Sequence, residues 1–234
     1  MKKKTAEEIG FGYKDVIFDD NVTTEEVVDV IKKLNEDNDM AGIIVQLPLP
    51  PQFDKQAILD AVSPEKDVDV LGSVASEFFY SNKSTLALPT ANAVMKILEQ
   101  ISVDFNDKKL VILGQGPLVG KPVSHLLMNQ GIVHDVVTKK TEETLKMDLI
   151  RNADILISAM GVPYAISADM VKEGVIIIDA GTSEMEGSIV GDVDFASVGS
   201  KASYITPTPG GVGPVTVACL FENVLQVAKQ NIHE

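Results

Sequence analysis

The sequence predicts an α/β protein of two domains, the second built around a mainly parallel sheet. Three observations lead there. From Leu110 onward, short apolar runs alternate with amphipathic segments through one continuous stretch, a pattern that gives parallel pairing and right-handed crossovers. The first of these runs, Leu110–Leu113, breaks at Gly114 and Gly116, passes Pro117, and reaches Gly120-Lys121-Pro122 before SHLLMNQ, which reads as strand, glycine turn, helix. The length of 234 residues with 45% hydrophobic content suffices for one large or two modest cores, and two are favoured.

Taken in order, residues 1–10 read as the end of a helix, since Ala6 and Ile9 share a face and Gly10 closes it. Thr23 or Thr24 with Glu26 offers a capping signal for a helix on which Val27, Val28, Ile31 and Leu34 recur at helical spacing. AGIIVQL, residues 41–47, is a continuous apolar run of strand length, stopped by Pro48-Leu49-Pro50-Pro51. A short helix is expected over 55–62, and residues 70–88, which lack a clear period, read as a long connection. Pro89-Thr90 opens a helix over 91–101, and Asn106-Asp107 marks a turn before Leu110. Helices then follow over 119–129, 142–151 and 168–172, and strands over 132–137, 155–159 and 175–179. A hairpin over 185–190 and a strand over 203–205 complete the set. This is a Rossmann-like half. Residues 206–214 hold too much glycine and proline for either element, and the last helix runs from Val215 to about Gln230 with a broad apolar face.

Composition excludes several classes of function. A net charge of −14 leaves no cationic surface to displace counterions from nucleic acid. No apolar run reaches the ~20 residues of a membrane span, and the lysines at positions 2 to 4 lack a signal peptide's apolar stretch. A single cysteine, Cys219, cannot form an internal disulfide, and its apolar context TVACLF suits a buried structural thiol, so the cytoplasm is the expected compartment. His125, His134 and His233 show no metal-ligand spacing, and no metal is expected.

Candidate site residues follow from position. Gly114, Gly116 and Gly120 let a backbone approach an anion, and the next helix presents N–H groups to it. The spacing G-x-G-x-x-x-G is looser than the dinucleotide fingerprint, however, and also suits a bare structural turn. The loops 158–163 and 179–181 leave strands at the same edge, so a nucleotide would lie across it. Thr138-Lys139-Lys140-Thr141 falls where a dinucleotide site meets the adenosine ribose. Two lysines there favour the 2′-phosphate of NADP, or are solvated surface. Gln46, polar at the end of an apolar run, either holds a substrate or satisfies the following loop. Asp67 and Asp69 flank one valine and form either a pair of acceptors or a solvated turn.

The blocks IIVQLPLP (43–50), SPEKDVD (63–69), VGKP (119–122), ADILISAMG (153–161), GDVDF (191–195) and TPTPGGVGPVTVA (206–218) together resemble the bifunctional methylenetetrahydrofolate dehydrogenase/cyclohydrolase family, in that family's order and over nearly the whole chain. The resemblance implies two α/β domains flanking a cleft and joined by long helices. Residues 1–88 with the returning helix 215–234 would form the folate domain, and 89–214 the Rossmann-like dinucleotide domain. It implies oxidation of 5,10-methylenetetrahydrofolate with NADP, or alternatively NAD, and hydrolysis of the methenyl product to 10-formyltetrahydrofolate.

By position, Lys2 matches the catalytic lysine, Gln46 the glutamine that tunes it, and Asp69 the carboxylate that holds the pterin. Pro48, Pro209, Gly210, Gly211 and Pro214 join the substrate site. Gly114, Gln115, Gly116, Val119, Gly120, Pro122, Thr138, Lys139, Lys140, Ala159, Gly161, Gly181 and Thr216 join the cofactor site. Departures accompany the match, among them the segment 70–79 and the linker-helix motif, reduced to Leu88-Pro89-Thr90-Ala91. The family's glycine after Asp69 is Val70, and its arginine in the nucleotide turn is Gln115, which removes a bidentate partner for the 2′-phosphate. The family's folate-site tyrosine lies four residues before the lysine, upstream of Met1. A shortened chain would expose a sheet edge that a homodimer covers, and full turnover is expected to need the tyrosine segment. The alternatives are a degenerate or truncated homologue that binds nucleotide or folate with little or no turnover, and a generic NAD-linked oxidoreductase, which leaves Gln46, Asp69 and the Pro-Gly-Gly loop without purpose.

Overall fold

The computed structural model describes residues 2–19 and 21–231. His233 and the last residues assigned above to the C-terminal helix, 232–234, lie outside them. Two compact units are present, one comprising Met1–Pro89 with Val217–Glu234 and the other Thr90–Thr216.

In the first unit, α1 (Lys2–Glu8) buries Ala6 against Val217 and Phe221, and Phe11 meets the Phe221 ring edge-on at 5.3 Å. Helix α2 (Thr24–Glu36) begins in a complete capping box. The Thr23 hydroxyl accepts from the Glu26 N–H at 3.2 Å, and the Glu26 carboxylate accepts from the Thr23 N–H at 2.9 Å. One turn apart, Val27 and Ile31 face inward onto Ile43, Ile58 and Val62, each such burial contributing about 1.5–3 kcal/mol. Helix α3 (Lys55–Asp60) is capped by Asp54, whose carboxylate accepts from the Ala57 N–H at 3.0 Å.

Two expectations fail in this unit. The strand expected over 41–47 is reduced to one parallel bridge, Ile43 to Asp67, because among the described residues no neighbouring segment continues the ladder. The connection expected over 70–88 contains a helix, α4 (Ser73–Tyr80). It buries Ala75 and Phe79 but leaves Val74 and Phe78 exposed, and its N-cap, Gly72, makes no side-chain bond, so neither period nor cap marked it.

Helix α5 (Pro89–Gln100) leads into the second unit, where β1 (Leu110–Leu113) is buried at all four positions. Next come α6 (Gly120–Asn129), β2 (Asp135–Val137), α7 (Glu143–Asn152), β3 (Ile155–Ser158), a 3-10 turn at Ala168–Met170 and β4 (Ile176–Asp179). An antiparallel hairpin of β5 (Ser183–Met185) and β6 (Ser188–Val190) follows, then α8 (Phe195–Val198), β7 (Tyr204–Ile205) and α9 (Val212–Asn231). The five-stranded sheet has the order β2-β1-β3-β4-β7 with every pairing parallel, as the sequence reading expects. Its inner strands, β1, β3 and β4, are near-continuous apolar runs buried along almost their whole length. Helix α9 starts three residues earlier than expected. Gly213 and Pro214 occupy its first turn, where a missing N–H goes unused.

Sheet order fixes where a ligand can bind. The chain leaves β1 in one direction towards β2, and from β2 crosses to β3 on the other side of β1. The reversal opens a crevice at the carboxyl ends of β1 and β3.

Candidate active site

Within the first unit, α1 carries Lys2, and the segment before Pro48 carries Gln46. The Lys2 ammonium donates to Gln46 Oε1 at 3.4 Å, and Gln46 Nε2 donates to the Leu47 carbonyl at 2.7 Å, which fixes which end of the amide faces the lysine. Asp69 is half-buried, and burial pushes its carboxyl up to about 6. The nearby Lys2 charge pulls it back and the neighbouring Asp67 raises it. Pro48 is exposed beside Gln46, after a cis peptide bond.

The loop bearing Asp69 winds around Asp67. That buried carboxylate accepts the N–H groups of Leu71 at 2.9 Å and Gly72 at 2.7 Å. Val70 lies at φ +59, so the backbone keeps a left-handed conformation that suits glycine, although a valine occupies it. Asn223 of α9 closes the same loop, donating to the Val68 and Ala87 carbonyls, each at 2.8 Å.

In the second unit, Gly114–Pro122 forms the turn between β1 and α6. Gly114 has φ +99, and a Cβ there would lie 2.4 Å from the Ala159 carbonyl oxygen; one on Gly120 would lie 2.0 Å from that of Gly114. Two backbone segments therefore meet at the β1/β3 crevice with no room for a side chain. A Cβ on Gly116, by contrast, would meet nothing within 4 Å, so its backbone faces open space. No side chain caps α6, whose N-cap is Val119, and Pro122 is buried in its first turn. The arrangement fits an anionic dinucleotide, with the turn's backbone approaching the phosphates. Gln115 is exposed on this turn.

At the end of β2, the Thr138 N–H donates to the Thr141 hydroxyl at 2.9 Å and the Lys140 N–H to the Thr138 hydroxyl at 3.2 Å, a local turn from which Lys139 and Lys140 extend into solvent. Ala159 and Gly161 belong to the loop after β3, and Gly181 to the loop after β4, so the sheet brings them to the edge where Gly114 stands. Gly210 is exposed at φ +105 after a cis bond to Pro209. Gly211 approaches the Pro207 carbonyl, where a Cβ would lie 2.4 Å away, and Thr216 donates its hydroxyl to the Val212 carbonyl at 3.0 Å. A cavity of about 530 Å³ is lined by Tyr164, Asp179, Gly191, Phe195, Thr206 and Thr208, none of them in the glycine turn.

Two family profiles match the chain. Residues 1–69 match the tetrahydrofolate dehydrogenase/cyclohydrolase catalytic domain, and residues 88–232 the NAD(P)-binding domain of the same family. The chain belongs to the tetrahydrofolate dehydrogenase/cyclohydrolase family. Among its relatives, the bifunctional protein FolD of Hydrogenobaculum sp. is 41% identical over 233 residues, 99% of this chain and 83% of that protein. The crystal structure of the Campylobacter jejuni bifunctional FolD, a methylenetetrahydrofolate dehydrogenase/cyclohydrolase, superposes with a TM-score of 0.90 at 39% identity, covering 98% of this chain and 81% of that one. A FolD structure from Trypanosoma brucei, complexed with NADP cofactor and inhibitor, gives a TM-score of 0.92 at 38% identity, covering 100% of this chain and 82% of that one.

Of two buried carboxylates, Asp67 and Asp192, the sequence reading offered the first only as an acceptor paired with Asp69 or a solvated turn, and gave the second no role. They sat inside the quoted SPEKDVD and GDVDF blocks, and that placement was the available signal.

Proposed function

We propose that the chain oxidises 5,10-methylenetetrahydrofolate with NADP and hydrolyses the resulting methenyl compound to 10-formyltetrahydrofolate. The observation that carries this reading is the Lys2–Gln46 contact beside a half-buried Asp69, three polar groups the sequence scatters over 68 positions and the first unit gathers.

Each group has a task. The Asp69 carboxylate accepts from the donor nitrogens of the pterin, which needs it ionised. In the hydrolytic step, water adds to the methenyl carbon and loses one proton; the bond from that carbon to N5 then breaks as the remaining hydroxyl proton leaves the oxygen and N5 gains one, so the formyl group stays on N10. Lys2 manages the protons of the added water, and Gln46 sets the position of the ammonium. Pro48 borders this group, and the family resemblance assigns Pro209, Gly210, Gly211 and Pro214 to substrate binding as well. The dinucleotide, when bound, supplies the acceptor for the hydride that leaves the methylene carbon. Gly114, Gln115, Gly116, Val119, Gly120 and Pro122 hold its phosphates, with Ala159, Gly161, Gly181 and Thr216 completing its site.

Lys139 and Lys140 meet the 2′-phosphate, which favours NADP, as does the T. brucei relative's bound cofactor. Gln115 in place of the family's arginine weakens that preference and leaves NAD as a second acceptor. The reading extends to residues 1–88 with 215–234 as the folate domain, 89–214 as the dinucleotide domain, and a cytoplasmic homodimer supplying one-carbon units for purine biosynthesis. The exposed Met185 and Ile189 of the β5–β6 hairpin suit a dimer contact.

The test is spectroscopic. The chain is mixed with 5,10-methylenetetrahydrofolate and NADP or NAD, and reduced nicotinamide and methenyl absorbance are followed together. Formation of both, then decay of the methenyl band, is expected; no change with either dinucleotide overturns the reading.

A further inference from the structure

The GDVDF block, residues 191–195, has no part in the chemistry described so far, yet it supplies Asp192, a carboxylate with no solvent exposure. The donors to this carboxylate lie at the end of β3 and on the loop that leaves it. Oδ2 accepts from the Ser158 hydroxyl and the Met160 N–H, each at 2.7 Å, and Oδ1 accepts from the Val162 N–H at 2.8 Å. Three donors spread over five residues thus converge on one side chain, from a segment more than thirty positions later in the chain.

That loop is one wall of the β1/β3 crevice. Ala159 donates its N–H to the Leu113 carbonyl at 2.8 Å, and the Ala159 carbonyl is the group that Gly114 approaches too closely to carry a Cβ. The opposite end of the contact is equally tight. Ser158 and Asp179 are register partners on adjacent strands, the Asp192 N–H donates to Asp179 Oδ1 at 3.2 Å, and the Val193 N–H to Asp179 Oδ2 at 3.0 Å. A Cβ on Gly181 would lie 2.1 Å from the Asp192 carboxyl carbon, so the loop after β4 is shaped against the same side chain.

We infer that Asp192 is a positioning residue for the dinucleotide: it sets the conformation of the Ser158–Val162 loop, and through Gly181 that of the loop after β4, without touching the cofactor. This rests on the dinucleotide site proposed above. The chemistry demands a carboxylate. Asp192 offers acceptors on both oxygens, whereas an asparagine must turn its NH2 towards either the Met160 or the Val162 N–H, and two donors then face each other in a buried place.

The experiment is calorimetric titration of NADP and NAD into the full chain and into Asp192→Asn, with the hydrolysis of methenyl-tetrahydrofolate, which consumes no dinucleotide, measured on both. Asp192→Asn is expected to raise the dinucleotide Kd and KM by about ten- to a hundredfold, the equivalent of one or two lost charge-assisted bonds, while the KM for methenyl-tetrahydrofolate in hydrolysis stays within about twofold. A general loss of structure would move both KM values, so the split identifies positioning. Should Asp192→Asn fail to fold, Ser158→Ala removes one donor alone and is expected to raise the dinucleotide Kd in the same direction. Variant affinities equal to those of the unsubstituted chain overturn the inference while the dinucleotide site stands. An unsubstituted chain that binds neither dinucleotide overturns that site and the inference with it.

Discussion

The Lys2 ammonium donates to the Gln46 side-chain carbonyl at 3.4 Å, across 44 positions of sequence. Since Gln46 Nε2 is committed to the Leu47 carbonyl, its oxygen cannot turn away, and the lysine has a fixed partner. Lys2→Met is therefore expected to lower hydrolysis of the methenyl compound by about 10²–10⁴-fold while leaving dinucleotide binding unchanged. Decay of the methenyl band, with calorimetry alongside, checks it; persistent hydrolysis would mean that Lys2 handles no proton.

On the proposed reading, Asp69 gives the folate reaction a pH limb. Its carboxyl, pushed up to about 6 by burial, is ionised above that value and protonated below it, and the protonated form loses the acceptor that the pterin nitrogens need. We expect kcat/KM for the folate substrate to fall roughly tenfold per unit below about pH 6. In Asp69→Asn the value should be lower throughout and the limb absent. A limb that survives the substitution belongs to another group.

Asp179 acts on stability instead. Burial pushes its carboxyl up to about 6, against the backbone N–H groups of Val193, Asp192 and Gly181 and with the Asp192 charge reinforcing the rise. Between the ordinary value of 3.8 and about 6, the folded state keeps a proton that the unfolded chain has released. Stability therefore falls as pH rises through this window and levels off above it. Asp69 and Asp67 contribute in the same sense, whereas Asp60, Asp154 and Asp169, lowered from 3.8, act below the window, and Glu65, lowered from 4.5, acts below that value. Urea denaturation between pH 4 and 7 should show a shallower slope in Asp179→Asn; an unaltered slope would place the proton elsewhere.

Gly120→Ala tests the turn by volume. The added Cβ would lie 2.0 Å from the Gly114 carbonyl oxygen, and backbone must shift to admit it, costing about 1–3 kcal/mol. Dinucleotide titration should show the loss, and circular dichroism should show the sheet retained. Undiminished affinity would mean that the turn does not hold the phosphates.

The strands of the second unit were legible because burial on both faces leaves an unbroken apolar word: LVIL, ILIS and IIID each read as strand with no help from their neighbours. The same rule misled at 41–47, where the apolar word is present and only one bridge forms. Helix α4 was illegible because a residue's burial there follows its tertiary neighbours more than its polarity, with Phe78 out and Ala75 in. In the candidate site, Gly114, Gly120 and Gly181 could be named from spacing and resemblance, since glycine writes its purpose into the sequence. Asp192 could not, because two of its three donors are backbone N–H groups, and the sequence carries no record of where a backbone points.

Asn223 holds the loop between Val68 and Asp69 from a position 155 residues later in the chain. Synthesis proceeds from the amino end, so Lys2, Gln46 and Asp69 all leave the ribosome long before the side chain that ties down the loop of the third. The proposed folate-site residues therefore wait for a side chain made 155 positions after Val68. Through that one amide, the loop bearing Asp69 is tied down only once α9 has been made.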